Sequence, residues 1–357
     1  MSRLAEALPP VADIIFVRAL RGTARPLSLS PPDFGLSSDA PALRVFRDPQ
    51  GTQPCAPGGV ACIGAFDGLH LGHQALLART VERARALQGP AIAISFEPLP
   101  REYFASGARP PRLLSPRGKL DGLCAAGIDA AGLLRFDAGM ARTSAEEFVQ
   151  SVVVETLAVR EVWVGPEFHF GHGRRGDLGT LQQEGRKHGF DAHAIQPVML
   201  DGERVSSSRI REALAAGDFA AVQRLLGRAY AIGGRVIRGR QLGRTLGYPT
   251  ANLHFHDRTP PFGGIFAARV HGVGPLARPA VASIGVRPTL GGTEPLLEAH
   301  LFDFDGDLYG RRIEVEPVAM LREELKFPDL PSLVAQMDRD AAAARSILDA
   351  CPVKACA

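Results

Sequence analysis

The stretch that most constrains this chain is Gly64-Ala-Phe-Asp-Gly-Leu-His-Leu-Gly-His73. The apolar run Val60-Ala-Cys-Ile63 before it reads as a buried strand. Gln74-Ala-Leu-Leu-Ala-Arg79 after it reads as the first turns of a helix that extends to Gln88. A strand, a glycine-containing turn and a helix N-terminus make an anion site, because the first amide N–H groups of a helix lack partners and its dipole end is positive. Gly64, Gly68 and Gly72 let the backbone come close to a bulky phosphate. His70 and His73 lie three residues apart, on one face of the first turn. Two imidazoles there can donate to phosphate oxygens as charge develops on a bridging oxygen. Taken alone, such a pair also fits surface residues or metal ligands.

From Val60 onward short apolar runs alternate with helix-like stretches. The runs are Val60–Ile63, Ala91–Ser95, Gly132–Phe136, Glu161–Gly165, Ala194-Ile195 and Val198–Leu200; the helices are Gln74–Gln88, Ser115–Ala126, Ser144–Thr156 and Leu178–His188. That alternation predicts a parallel, doubly wound α/β sheet, with ligands beyond the carboxyl ends of its strands.

Three further motifs fall at such ends. In Ser95-Phe-Glu-Pro-Leu-Pro-Arg-Glu-Tyr-Phe104 two prolines predict an extended loop. There Arg101 can meet a phosphate and Phe96 and Phe104 an apolar ring; a hydrophobic crossover loop reads equally well. Gly165-Pro-Glu-Phe-His-Phe-Gly-His-Gly-Arg-Arg-Gly-Asp177 is a glycine-rich aromatic loop. Phe168 and Phe170 suit a broad flat ring, and Arg174 and Arg175 suit a phosphate. In Val205-Ser-Ser-Ser-Arg-Ile-Arg211, Ser206 or Ser207 caps a helix to Ala216 whose first turn is basic. That placement opposes the dipole and hints at a bound anion. A short helix from Phe219 to Leu226 follows, and Gly227-Arg228 makes a boundary.

Beyond residue 228 the texture changes. Strand-like runs at Ala229–Ile237, Ile265–His271, Ala280–Ile284, Leu296–Phe304 and Arg312–Val318 are separated by turns, and one helix runs from Leu330 to about Asp349. This predicts an antiparallel β-barrel with a terminal helix. Gly239-Arg-Gln-Leu-Gly-Arg-Thr-Leu-Gly-Tyr-Pro-Thr-Ala-Asn252 offers a backbone cradle for phosphates. Thr250 and Asn252 supply oxygens suited to a hard cation such as Mg²⁺. No Walker sequence occurs, which excludes a P-loop kinase. In Leu296-Leu-Glu-Ala-His-Leu-Phe-Asp-Phe304 strand periodicity puts Leu297, Ala299 and Leu301 on one face, Glu298 and His300 on the other. A carboxylate there suits a general base, or is an ordinary solvent-facing glutamate.

With 357 residues the chain holds two domains: a partly disordered extension over 1–48 containing one short strand near Leu43–Phe46, then 49–227, 228–350 and a tail over 351–357. The net charge of +3, from 41 basic and 38 acidic residues, does not point to nucleic acid. Five scattered cysteines without CxxC spacing indicate neither a zinc site nor a disulfide framework, and suit a reducing cytoplasm. No apolar run approaches membrane-spanning length.

These strings resemble a known family. The Gly64–His73 pattern after a strand is similar to that of the HIGH-type nucleotidyltransferases, in the variant found in flavin adenylyltransferases. The Ser95, Gly165 and Ser206–Arg211 stretches resemble further motifs of that domain. Gly239–Asn252, Ser283–Thr289, the Glu298 strand with Asp307-Leu-Tyr-Gly310, and Leu321–Phe327 resemble riboflavin kinase. In order, and over roughly residues 55–348, they resemble the bifunctional riboflavin kinase/FMN adenylyltransferases, the prokaryotic-type FAD synthetases. The resemblance implies two reactions, riboflavin to FMN with ATP and then FMN to FAD with release of pyrophosphate. It implies ATP at Gly64, Phe66, Asp67, Gly68, His70, Gly72, His73, Ser207 and Arg209, and flavin at Phe96, Phe168, Phe170 and Asp177. In the kinase it implies ATP at Gly243, Arg244, Gly247, Pro249, Thr250 and Asn252, and flavin at Arg287, Glu298 and Phe327. Mg²⁺ falls to Thr250 and Asn252, and the catalytic groups are Glu298, His70 and His73. The expected partners are small molecules, with neither nucleic acid nor membrane. The sequence departs from the family pattern at Leu99, where histidine is usual, at Pro166-Glu167, and at Ser283, where asparagine is common. An alternative keeps one activity, the kinase.

Overall fold

The computed structural model describes residues 15–17, 43–48, 53–239, 242–256, 258–286 and 295–351. They divide into two units, one drawn from Met1–Thr23, Leu36–Phe104 and Lys119–Met199, the other from Ala24–Gly35, Ala105–Gly118 and Leu200–Ala357. Of the 1–48 stretch only 15–17 and 43–48 are described, and Arg287 and the tail after Cys351 lie outside the described residues.

The first unit contains strands β1 (Ile15–Val17), β2 (Leu43–Phe46), β3 (Val60–Ile63), β4 (Ala91–Glu97), β5 (Ala130–Arg135), β6 (Glu161–Val164) and β7 (Asp191–Ala194). They order as β1-β2-β5-β4-β3-β6-β7, all parallel except β1, which pairs antiparallel with β2. The expected wound parallel sheet is present, with an antiparallel edge strand that local pattern did not reveal. Every residue of β3 and β6 is buried, as central strands covered on both faces must be. After β3 the chain steps to one side for β4 and β5, then returns to the other side for β6 and β7. The winding reverses at β3, and a crevice at such a reversal is where ligands of open α/β sheets bind.

Local departures have physical causes. The helix after β3 spans Leu71–Ala86 and so begins three residues earlier than expected, because His70 caps it. The stretch after β4 is not wholly extended: Pro100 opens a short helix, Pro100–Tyr103, where a missing N–H costs nothing. The expected helix Ser144–Thr156 splits into Ala145–Phe148 and a π-helical Val149–Leu157. Val198–Leu200 joins no sheet strand of this unit; Met199–Leu200 (β8) pairs with Glu203–Arg204 (β9) in a hairpin.

The second unit is a nearly closed antiparallel barrel of β10 (Ile232–Arg235), β11 (Ala251–His254), β12 (Gly264–His271), β13 (Arg278–Val286), β14 (Pro295–Leu301) and β15 (Arg312–Arg322), ordered β10-β15-β12-β13-β14-β11. An antiparallel bridge from Ile237 to Asn252 links its two ends. Strand β11 was read as part of the glycine-rich loop; pairing with β14, not its own four residues, makes it a strand. Within that loop Leu242–Thr245 forms one helical turn. Phe266, Ala282, Ile284, Leu297 and Ala299 fill the barrel. The terminal helix Leu330–Ala350 buries Ala344 and Leu348 against Ala267 and Phe302.

Candidate active sites

The first site grows from the carboxyl end of β3. Gly64 N–H donates to Ile94 O (3.0 Å), and its missing side chain makes room for the Phe66 ring, which would lie 3.2 Å from a Cβ there. Phe66 is fully buried with φ +48°, Gly68 has φ +92° and Leu69 φ +48°, so the turn is bent through the left-handed region and held by packing. His70 caps the helix: its Nδ1 accepts from His73 N–H at 3.2 Å. A neutral imidazole accepting at Nδ1 carries its proton on Nε2, as a donor. The His73 ring stacks on His70 at 3.7 Å and 18°, and meets Phe66 at 5.4 Å. His73 Nδ1 is buried with no hydrogen-bond partner. Burial, then the neighbouring charges of His70, Lys119 and Arg101, hold this imidazole well below its usual 6.5, so it is neutral at physiological pH. Asp67, fully buried, forms an ion pair with Arg101 from the helix after β4. Arg101 therefore reaches the HxGH turn, where its partner is the Asp67 carboxylate. Gly72 lies in the first turn of the same helix.

Leu99 is 1% exposed, and its backbone N–H donates to Glu102 Oε2 at 3.0 Å. The position at which the family pattern has histidine is here apolar and sealed.

The aromatic residues form a chain along the strand ends. Phe96 contacts Phe148 at 6.2 Å, Phe148 contacts Phe170 at 5.7 Å, and Phe170 stacks on Phe168 at 5.4 Å and 17°. Phe170 is core, whereas Phe96 and Phe168 are half-buried and offer ring surface. Asp177 caps the helix Leu178–His188, accepting from Thr180 N–H (2.9 Å) and Thr180 Oγ1 (3.0 Å), bonds that lower its pKa.

Ser207 and Arg209 belong to the second unit. Ser206 is the cap of the helix Ser207–Ala215. Arg209 Nη1 donates to the carbonyls of Leu200 (3.2 Å), Glu203 (3.0 Å) and Arg204 (3.3 Å), which anchors the guanidinium on the β8–β9 hairpin.

The second site lies on the barrel's outer face. Gly243 is required by packing, since a Cβ would stand 2.2 Å from Tyr248 O, and Gly247 has φ +84°. Arg244 is exposed on the helical turn between them. Pro249 O meets His300 Nδ1 at 2.8 Å. Asn252, 5% exposed, donates from Nδ2 to Thr250 O at 3.1 Å. Asn252 is paired with Glu298, Glu298 with Ser283, Ser283 with Ile265 and Ile265 with Arg322. Paired residues of an antiparallel sheet point to one face. One lateral row thus carries the candidate cation ligand, the candidate base and Arg322. The Arg322 guanidinium covers the half-buried Phe327 ring at 5.7 Å and binds Asp340 of the terminal helix. Arg322 lies in the Leu321–Phe327 stretch, but its place in this row is not legible in the sequence because the β12–β15 ladder shifts register twice near it.

A family model described as FAD synthetase matches residues 52–209, and one described as riboflavin kinase matches residues 226–348. The chain belongs to the bifunctional riboflavin kinase/FMN adenylyltransferase family. It is 44% identical over 307 residues to the bifunctional riboflavin kinase/FMN adenylyltransferase of Pseudomonas fluorescens, covering 85% of this chain and 98% of that one. It is 42% identical to the Escherichia coli K12 protein of the same description, covering 81% and 92%, and 39% identical to that of Haemophilus influenzae, covering 86% and 100%. A solved structure described as a macrolide-efflux protein from Streptococcus pneumoniae has 28% identity and a TM-score of 0.70, covering 84% of this chain and 98% of that one. As a riboflavin kinase/FMN adenylyltransferase the chain is a two-activity transferase of FAD biosynthesis, and the stacked histidines and the Glu298 row fall in the two separately matched regions.

Proposed function

We propose that the two reactions divide between the two matched regions, meeting near residue 227, and that the residues above carry them. In the barrel the riboflavin 5′-hydroxyl attacks the γ-phosphorus of ATP, ADP leaves, and Glu298 takes the hydroxyl proton. The glycine-rich loop, with Gly243, Arg244, Gly247 and Pro249, cradles the phosphates. Phe327 and Arg287 meet the flavin. The donor set near Glu298 is oxygen-based: with Asn252 Nδ2 committed to Thr250 O, its Oδ1 and the Thr250 hydroxyl suit a hard cation. Mg²⁺ bound there would neutralise phosphate charge. Phosphoryl transfer of this kind rests mostly on positioning and charge.

At the HxGH turn an FMN phosphate oxygen attacks the α-phosphorus of ATP and pyrophosphate leaves, so no protein nucleophile is needed. His70 and His73 donate to the triphosphate, helped by the helix N-terminus. The family resemblance also assigns Ser207 and Arg209 to ATP. Phe96 and Phe168 offer rings to the isoalloxazine, while Phe170 and Asp177 hold that loop in shape.

The observation that supports this reading is the register that pairs Asn252 of β11 with Glu298 of β14, an amide and a carboxylate side by side outside the adenylyltransferase region. The test is riboflavin with Mg-ATP, products separated by chromatography: FMN followed by FAD is expected, and neither product would refute the assignment. Described cysteines are all free, and no helix among the described residues is long and apolar enough to cross a membrane. A cytoplasmic enzyme acting on small molecules fits both.

A further inference from the structure

Lys119 is 1% exposed and ranks among the largest fully buried side chains of the described chain. A lysine is almost never so deeply buried without a specific reason. It lies on the helix Pro116–Ala125, and its Nζ donates to Ser95 Oγ at 2.9 Å. Ser95, itself fully buried, donates onward to Ala65 O at 3.1 Å. Ala65 opens the turn that contains Phe66 and Asp67 and ends at the histidine pair. The helix is fitted closely to that turn, since a Cβ at Gly122, one turn on from Lys119, would lie 2.1 Å from Leu69 Cδ1.

We propose that Lys119 is a positioning residue for adenylyl transfer, holding the Ala65–Asp67 turn through Ser95 and presenting a buried positive charge to the imidazoles that meet the triphosphate. The inference rests on the assignment of His70 and His73 above. The groups that face His73 are His70 on its own helix, Arg101 from the helix after β4, paired with Asp67 of the turn, and Lys119. Lys119 and Arg101 both disfavour a proton on His73. A cation there has two effects on one chemistry. It draws a polyanion into the crevice, and it keeps the second imidazole neutral until that anion arrives.

The test is the pH–rate profile of FAD formation from supplied FMN and Mg-ATP, for wild type, Lys119→Met, Lys119→Arg and Ser95→Ala. Removing the charge raises the His73 pKa toward its ordinary value, so the rate of Lys119→Met falls off at higher pH on the acid side than that of wild type. Its rate at neutral pH drops at least tenfold, while FMN formation from riboflavin by the same chain is unchanged. Lys119→Arg keeps the wild-type acid limb at a reduced rate. Ser95→Ala loses rate without moving the limb. If Lys119→Met fails to fold, judged by its melting curve and its FMN formation, Lys119→Gln is read by the same criteria. For Lys119→Met, or Lys119→Gln in its place, a rate within twofold of wild type, or a lost rate with an unmoved acid limb, overturns the proposal. His73→Ala separates the two levels: if it still forms FAD, the site assignment itself fails; if it does not and Lys119→Met is unaffected, only this inference does.

Discussion

Asn252 stands directly opposite Glu298 across the β11–β14 ladder, and Ser283 stands opposite Glu298 on the other side. The neighbours Leu297 and Ala299 are fully buried in the barrel, so the strand cannot rotate Glu298 away without exposing them. Glu298→Gln keeps the shape and removes the base. FMN formation should fall by about 10²- to 10⁴-fold, the usual contribution of a positioned base. FAD formation from supplied FMN should persist. Loss of both steps in a folded protein would mean that Glu298 does not act at the kinase site alone.

The stacked imidazoles give the reciprocal experiment. His73→Ala deletes the donor proposed for the triphosphate and should lower FAD formation by about 10²- to 10³-fold, the range for one preorganised donor. Conversion of riboflavin to FMN should continue at the wild-type rate, measured in the same chromatogram. His70→Ala should lower the adenylyl step and also destabilise the fold, because His70 caps the helix through its bond from His73 N–H; a cap is worth about 1 kcal/mol. A parallel fall of both products would break the assignment.

What could be read from the chain follows the range of the interactions that fix it. β3 and the helix Leu178–His188 match their expected bounds, because an unbroken apolar run and a capped amphipathic stretch are local signals. The HxGH turn is likewise contiguous, so its histidines were legible residue by residue. β11 was not, because its strand state comes from pairing with β14, where Asn252 meets Glu298 far along the chain. Nor was Lys119, whose environment is supplied by Ser95 from another strand. The burial of Leu99 depends on the helical turn begun by Pro100, which the two-proline pattern disguised as extended chain.

That burial makes a prediction about the departure at this position. Leu99→His would place an imidazole where the side chain is 1% exposed. A buried polar group without a partner costs about 1–3 kcal/mol, which thermal unfolding would register as a lower Tm. FAD formation should not rise. An accelerated adenylyl step with an unchanged Tm would show that this position borders the nucleotide after all.

Tyr248 ties the glycine-rich loop of the barrel, proposed above to hold ATP, to the terminal helix: its hydroxyl donates to the Asp338 carboxylate, and its ring lies 4.9 Å from that of His300. Tyr248→Phe keeps the ring contact and cuts the tie, at a cost of about 0.5–1.5 kcal/mol. The KM for ATP in FMN formation should rise several-fold with kcat little changed, since the proposed phosphate loop is then held by the Pro249–His300 contact without the helix. Burial, the hydrogen bond to Asp338 and that carboxylate's charge push the Tyr248 pKa from 10 to about 12. Between those values the unfolded chain has released the proton and the folded chain still holds it, so the stability from this group is complete below pH 10 and drains away as pH rises through about 12. Tyr248→Phe should therefore lose less stability than wild type over that alkaline interval, measured by denaturant midpoints at successive pH values. An unchanged KM together with parallel alkaline curves would show that the loop does not depend on the helix.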